Sequence, residues 1–452
     1  MPARKRVSKA DAPLPQKLGL VAAVGIGLAS MLGAGLFVVF REAFNVSASS
    51  YFWAIGLAAL VAALNATSVH RLAKRVERAG GIYAYSRVYV GRSTSFLAGF
   101  GFIFGKIGSI AAIALVLGEY VTGTRTAIWL ALLAIWVLAI VNIFGIERTA
   151  EVAIVLATVT VGFLLIVIIG GLTWVAPLHE TNYQTLGGLA VVTGAAEPPK
   201  LGDVLQASAL LFFAFAGYAR VATLGEEVST PKVNIPRAIV ISLGAVIVLY
   251  IGLGTALYRV LGDQLGTSVA PLEDLVARGI PSMPPQVVVI VAAAAALGSM
   301  LALLAGVSRT AASMAEDREL PRWVAKRNRY GSPWRAELVI AVAASALVTL
   351  PTLSWVIAFS SFSVLMYYAI GHISALRQAR LEETRKFFVP AMGLVFCASL
   401  AATVPGPALP TSAAILALAM AARIAFRHMP RVPKPVVPLK QVRREHIHAK
   451  KK

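Results

Sequence analysis

Two short stretches hold the residues best placed to do chemistry. "MLGAGLF" at 31–37 and "FFAFAGYARV" at 212–221 each set glycine and alanine inside a run that is otherwise apolar. Glycine has the poorest helix propensity after proline. An apolar helix is therefore expected to break around Gly33, Ala34 and Gly35, and again near Ala216 and Gly217. A break frees backbone groups. The half-helix after it offers bare N–H groups and a positive dipole end, which suit a carboxylate. The half-helix before it offers bare carbonyls, which suit an ammonium group or a cation. Two such breaks facing each other supply both ends of an amino-acid site. The competing reading is that "GAG" is close packing between helices, where small residues are common.

Charged residues near these stretches are few. Lys106 stands alone in "FGKIGSIAA", Arg220 lies inside the second stretch, and Glu226 and Glu227 follow it. Intramembrane ionisable groups usually mark ion pathways or pairs. Burial lowers a lysine pKa, which would help proton exchange at Lys106; a structural lysine bound to freed carbonyls is the alternative. Arginine keeps its charge, so Arg220 is expected to anchor a substrate acid, to pair with Glu119 or Asp203, or to face the cytoplasmic vestibule. Glu226 and Glu227 are gate candidates that could meet the arginines of the 71–78 loop, or simply be solvated.

The elements that position these residues follow from composition. Of 452 residues, 58% are hydrophobic and 14% charged, against about 25% charged in a soluble protein. Apolar runs long enough to span a bilayer recur throughout, so the chain is read as an all-α integral membrane protein. Twelve spans are expected, at 18–40, 50–70, 94–118, 126–145, 150–173, 204–224, 236–259, 286–308, 336–350, 353–376, 388–404 and 409–427; the third could start near Gly81. Asn234 is expected to cap the seventh, with Pro236 in its first turn.

With the N-terminus inside, most of the 42 Lys and Arg residues fall on the cytoplasmic side. The external loops keep Arg41, Arg125, Lys200, Arg259 and Arg278. This asymmetry sets both termini in the cytoplasm of a multi-pass plasma-membrane protein and accounts for the net charge of +21 without nucleic acid. The expected division is a tail at 1–17, a ten-span core at 18–376, two additional spans at 377–427 and a basic tail at 428–452 that could touch anionic lipid. Cys397 is the sole cysteine, which excludes an intrachain disulfide and argues against a cysteine metal site.

The two broken spans are the first and the sixth, five apart. A pair in matching positions of two halves points to a transporter built from inverted repeats.

Four stretches together resemble the amino acid–polyamine–organocation transporter family, in its bacterial amino acid permease type. They are "MLGAGLF", "AGGIYAYSRVYVGR" (79–92), "FFAFAGYARVATLGEEVSTPKVNIPRAI" (212–239) and "SRTAASMAEDRELPRWVAKRNRYGSP" (308–333). The resemblance implies a LeuT-like five-plus-five inverted repeat with broken helices 1 and 6, and transport of amino acids or related amines by alternating access. It implies a substrate carboxylate on the backbone of Gly33, Ala34 and Gly35. It places the ammonium on the carbonyls of Met31, Phe213 and Ala216, with Phe213 closing over the substrate. Ser109 and Gly217 belong to the same candidate site.

The chain also departs from the family. Proton-coupled members often carry a lysine in helix 5; that position falls at Thr160, and no Lys or Arg stands between Arg148 and Lys200. Lys106 is the expected substitute, and Thr160 and Arg220 are the other coupling candidates, for a proton or sodium. Two fixed positive charges near the site argue mildly against cationic substrates, although a polyamine or cation exchanger stays open, as does a transport-inactive nutrient sensor. A membrane enzyme would cluster His, Asp or Glu in its spans, which this chain does not do. No catalytic residue, cofactor or metal is expected, and no Walker loop is present. Substrate, coupling ion and oligomeric state are not legible.

Overall fold

In a computed structural model the chain is described at residues 18–33, 35–76, 80–122, 126–144, 146–173, 183–186, 189–192, 200–223, 228–268, 270–349, 352–383 and 386–425. The helices are α1 (Leu20–Met31), α2 (Leu36–Ser47), α3 (Tyr51–Ala73), α4 (Ile82–Tyr89), α5 (Arg92–Thr122), α6 (Ala127–Ile143), α7 (Ile146–Thr173), α8 (Leu201–Phe215), α9 (Ala219–Ala222), α10 (Pro231–Leu261), α11 (Pro271–Gly279), α12 (Pro285–Glu316), α13 (Trp334–Thr349), α14 (Leu353–Leu381), α15 (Phe388–Ala402) and α16 (Ala408–Ala425). A two-stranded antiparallel ribbon, β1 (Tyr183–Leu186) and β2 (Leu189–Val192), lies between α7 and α8.

Each of the twelve expected spans has its helix. Among the described residues eight helices are long and apolar enough to cross a membrane, nine when α1 and α2 count as one span bent by 47°. Some spans overrun their apolar limits. The first runs from Leu20 to Ser47 rather than 18–40, and α14 continues to Leu381, past the expected core boundary at 376. A helix needs no apolar side chains once its end leaves the bilayer, so hydropathy underestimates its length. The third span does start early, as α4 joined to α5 at Val90 and Gly91, with φ +136° at Gly91.

The seventh span corrects the sequence reading. Its first residue is Pro231, and Thr230 precedes it in the left-handed region with φ +46°. Pro231 suits the first helical position because its missing N–H has no helical acceptor there. Asn234 is therefore inside the first turn. Its amide donates back to the Ser229 carbonyl at 2.7 Å and the Thr230 hydroxyl at 3.0 Å instead of capping.

α1 packs on α7, α10 and α12, while α2 packs on α8. α5 lies against α12 and α14, the best-buried spans around it. α15 covers α14 and α3, and α16 lies against α14 and α5 with few residues buried. Some buried polar side chains are paired across helices. His372 of α14, for example, meets Ser68 Oγ at 2.9 Å and Asn65 Oδ1 at 2.5 Å, both from α3. Outside water, such pairing is what makes a buried polar group tolerable.

Candidate functional site

The first break is described on both sides of residue 34; Ala34 lies outside the described residues. α1 ends at Met31, and the Leu32 N–H closes its last turn onto the Leu28 carbonyl at 2.8 Å. Gly35 opens α2 with no side chain capping it. Among the described residues no acceptor meets the Gly33 or Gly35 N–H. These are the bare donors of a helix N-terminus.

The glycines are required by close approach. A Cβ at Gly33 would strike the Ser299 side chain of α12 and lie 3.4 Å from Ile113 Cδ1 of α5. At Gly35 it would strike the Phe213 ring, with Cδ1 at 3.0 Å. Phe213, in the last turn of α8, thus lies on the start of α2.

The second break follows directly. α8 stops at Phe215, Ala216–Tyr218 form a single 3-10 turn, and α9 resumes for four residues. A Cβ at Gly217 would strike the Ser30 carbonyl and lie 2.7 Å from Met31 Cγ. The two breaks therefore cross in van der Waals contact, and Met31, Gly33, Gly35, Phe213, Ala216 and Gly217 gather around that crossing.

Side chains that sequence reasoning missed serve the freed carbonyls. Tyr250 of α10 donates to the Met31 carbonyl at 2.5 Å, Ser299 to Ser30 at 3.4 Å, and Tyr368 of α14 to Ala216 at 3.4 Å. A carbonyl has two lone pairs, so each can still accept a second bond. No local pattern marks these residues; the contacts with Tyr250 and Ser299 join positions more than 200 residues apart.

The remaining candidates separate. Ser109 shares a hydrogen bond with Ser360 of α14 at 2.7 Å, which joins α5 to α14. Lys106 is 2% exposed near the middle of α5, and no described residue bonds its ammonium. It lies two helical turns before Ile113, on the helix face that reaches Gly33. The Thr160 hydroxyl is used within α7, donating to Leu156 at 2.8 Å.

Arg220 pairs with neither Glu119 nor Asp203. Asp203 opens α8 and Arg220 lies beyond the break, roughly 25 Å further along at 1.5 Å per residue. Arg220 instead lies on α12: its Nε donates to the Ala302 carbonyl at 2.6 Å and a terminal nitrogen to Thr223 Oγ1 at 2.8 Å. It is 2% exposed, so it does not open onto a vestibule in this conformation.

Glu226 and Glu227 lie outside the described residues. Of their expected partners, Arg75 pairs with Glu382 at 3.1 Å and Arg71 donates to the Lys386 carbonyl at 3.0 Å.

Comparison with known proteins agrees with this architecture. A family model described as amino acid permease matches residues 18–423. An uncharacterised transporter of Mycobacterium tuberculosis is 40% identical over 432 residues, 93% of each chain. The inner membrane transport protein YbaT of Escherichia coli is 24% identical, covering 80% of this chain and 83% of its own. Cationic amino acid transporter 6 of Arabidopsis thaliana is 24% identical over 78% of this chain and 64% of its own. Among solved structures, a Na+-coupled sialic acid symporter in its substrate-bound outward-open state superposes with a TM-score of 0.52 at 14% identity, over 88% of this chain and 90% of that one; it shares the fold. Matched from its first broken span to its last helix, the chain belongs to the amino acid permease family and is a membrane transporter.

Proposed function

We propose that the protein is a secondary active transporter that moves amino acids or related amines across the plasma membrane by alternating access, with both termini in the cytoplasm. The observation that carries this reading is the crossing of the two breaks, where the end of α1 packs on the turn at Ala216–Tyr218 and the uncapped start of α2 at Gly35 meets Phe213. The Gly33 and Gly35 amides would take the substrate carboxylate. The second lone pairs of the Met31 and Ala216 carbonyls, with the Phe213 carbonyl, would take the ammonium. The Phe213 ring, already on Gly35, would cover the substrate.

Lys106 is the proposed proton-linked group at the first break. Its charged form would brace freed carbonyls, and its deprotonated form would loosen them. Thr160 cannot substitute, because a neutral hydroxyl bonded to its own helix carries no charge to exchange.

Uptake by the purified protein in proteoliposomes tests the function, paired with a thermal-shift screen of amino acids and polyamines. A ligand that binds the folded state raises the melting temperature. Uptake together with such a rise is expected for at least one amino acid. A rise without uptake under any ion gradient would assign a sensor instead, and neither would remove the reading.

A further inference from the structure

A basic cavity lies where the end of α3, the start of α10 and the end of α14 meet, and its lining shares no residue with the crossing of the breaks. It is open to the surface and has a volume of about 760 Å³, inside the roughly 300–1,000 Å³ of ligand sites. Arg71, Lys74 and Arg75 line it from the end of α3, Lys232 from the first turn of α10, and Lys386 from the link between α14 and α15. Among the described residues that line it, Glu382 is the one carboxylate.

The walls are fixed to one another. The His70 ring donates through Nδ1 to the Pro236 carbonyl at 3.3 Å, which ties α3 to α10. Arg71 donates to the Lys386 carbonyl at 3.0 Å, and Arg75 meets Glu382 at 3.1 Å. Both tie α3 to the end of α14 and the segment after it. Gln378 of α14 also donates to Glu382, at 3.2 Å. Ala375 and Ala379, both buried, line the cavity beside them, and their short side chains leave it room.

The donor types name the ligand chemistry. Leaving Lys232 aside, Arg71, Lys74, Arg75 and Lys386 bring four positive charges to a lining whose described carboxylate already meets Arg75. A cleft lined by one sign of charge concentrates ions of the other. Arginine offers a planar fork that matches phosphate oxygens, and lysine a compact point charge. Donors reaching in from α3 and from the far side of α14 suit a tetrahedral anion, whose oxygens point several ways, better than a flat carboxylate. Depth agrees. In the topology proposed above, the ends of α3 and α14 lie at the cytoplasmic surface, where anionic headgroups attract basic residues. Thr67, one turn deeper on α3, is exposed in the same lining, so the cavity reaches down toward the apolar span.

We propose that this cavity binds the phosphate of an anionic ligand, carried by a lipid headgroup of the cytoplasmic leaflet or by a free phosphate ester. The bound phosphate would bridge α3 to the segment after α14, next to the start of α10. The lipid source rests on the proposed orientation; the phosphate chemistry does not.

Full-length protein, stripped of lipid in a neutral detergent, is titrated with phosphatidylglycerol, with zwitterionic phosphatidylcholine and with inorganic phosphate, and its melting temperature is read. Phosphatidylglycerol should raise it and phosphatidylcholine should not. A rise with phosphatidylglycerol alone assigns the lipid as the source, and a rise with inorganic phosphate at the same concentrations assigns a free phosphate. Lys74 and Lys386 are exposed, so Lys74→Gln and Lys386→Gln should melt like the parent before any anion is added. Each should raise the half-maximal anion concentration about fivefold, the weight of one basic residue near an anionic surface. Lys326→Gln, at an exposed position between α12 and α13, should leave it unchanged. No rise with either anion, an equal rise with phosphatidylcholine, or equal weakening by Lys326→Gln would overturn the proposal. So would lysine variants that melt below the parent without anion and respond no further, which would put a carboxylate of this chain, such as Glu226 or Glu227, in the cavity. Binding is read without uptake, so its failure and that of the transport reading are distinguishable.

Discussion

At the scale of single residues, the glycines of the first break were legible and their partners were not. "GAG" in an apolar run marks lost helix propensity whatever the tertiary fold. That Gly33 meets Ser299 and Gly35 meets Phe213 depends on helices brought together from distant sequence. Because the neighbour at Gly35 is a ring that can swing, Gly35→Leu should fill the carboxylate position and displace Phe213 without unfolding the protein. Uptake should be lost while the melting temperature without substrate stays near that of the parent; normal uptake would rule out the cradle. Lys106→Met removes the charge at similar length, and Lys106→Arg fixes it. Both should lose pH-dependent uptake while a substrate-induced thermal shift persists. Wild-type pH dependence in both would make Lys106 a packing residue.

At the scale of elements, the breaks are held differently on their two sides. Among the described residues no side chain caps the N-terminal side of α2, whereas the carbonyl sides are tied by tyrosines from α10 and α14. Hydropathy located the spans because bilayer length constrains them, but it could not place their ends. Pro231 opens α10 five residues before the apolar limit at 236, and the polar tail of α14 stays helical. The crossing makes its own prediction. At Gly217 the obstructing atoms are the Ser30 backbone, which cannot rotate away. Gly217→Ala should therefore push the broken spans apart at a cost of about 1–3 kcal/mol, the range for overpacking. A lowered melting temperature together with weakened substrate binding is the expected result, and it contrasts with the stability expected of Gly35→Leu.

At the scale of the whole molecule, one ion cluster joins the outermost helix to the core. Glu319, in the turn after α12, meets Arg423 of α16 at 2.8 Å, Arg87 of α4 at 3.2 Å and Arg92 of α5 at 3.4 Å. Arg87 also reaches Asp317 at 3.5 Å, and Tyr83 donates to Asp317 at 2.8 Å. α16 buries only Ala408, Ser412 and Leu416, so this tether matters more to its docking than apolar contact does. Burial alone would raise the Glu319 pKa, but the hydrogen bonds and charges of Arg423, Arg92 and Arg87 outweigh it and hold the carboxyl below its ordinary range. A carboxyl depressed in the folded state stabilises the fold above its unfolded pKa, near 4.3, and that contribution is lost as pH falls through the lower folded value. Melting temperature should thus be steady around neutrality and decline only in acid. Glu319→Gln should lower it already at neutral pH, by about 3 kcal/mol of stability, the low end for removing one partner from a buried ion cluster, and should flatten the acid decline. Proteolysis should then cut near α16 before the core spans, because the tether is lost while the contacts among α5, α12 and α14 remain. Equal melting of parent and variant at both pH values would show that α16 is held by the bilayer and not by Glu319.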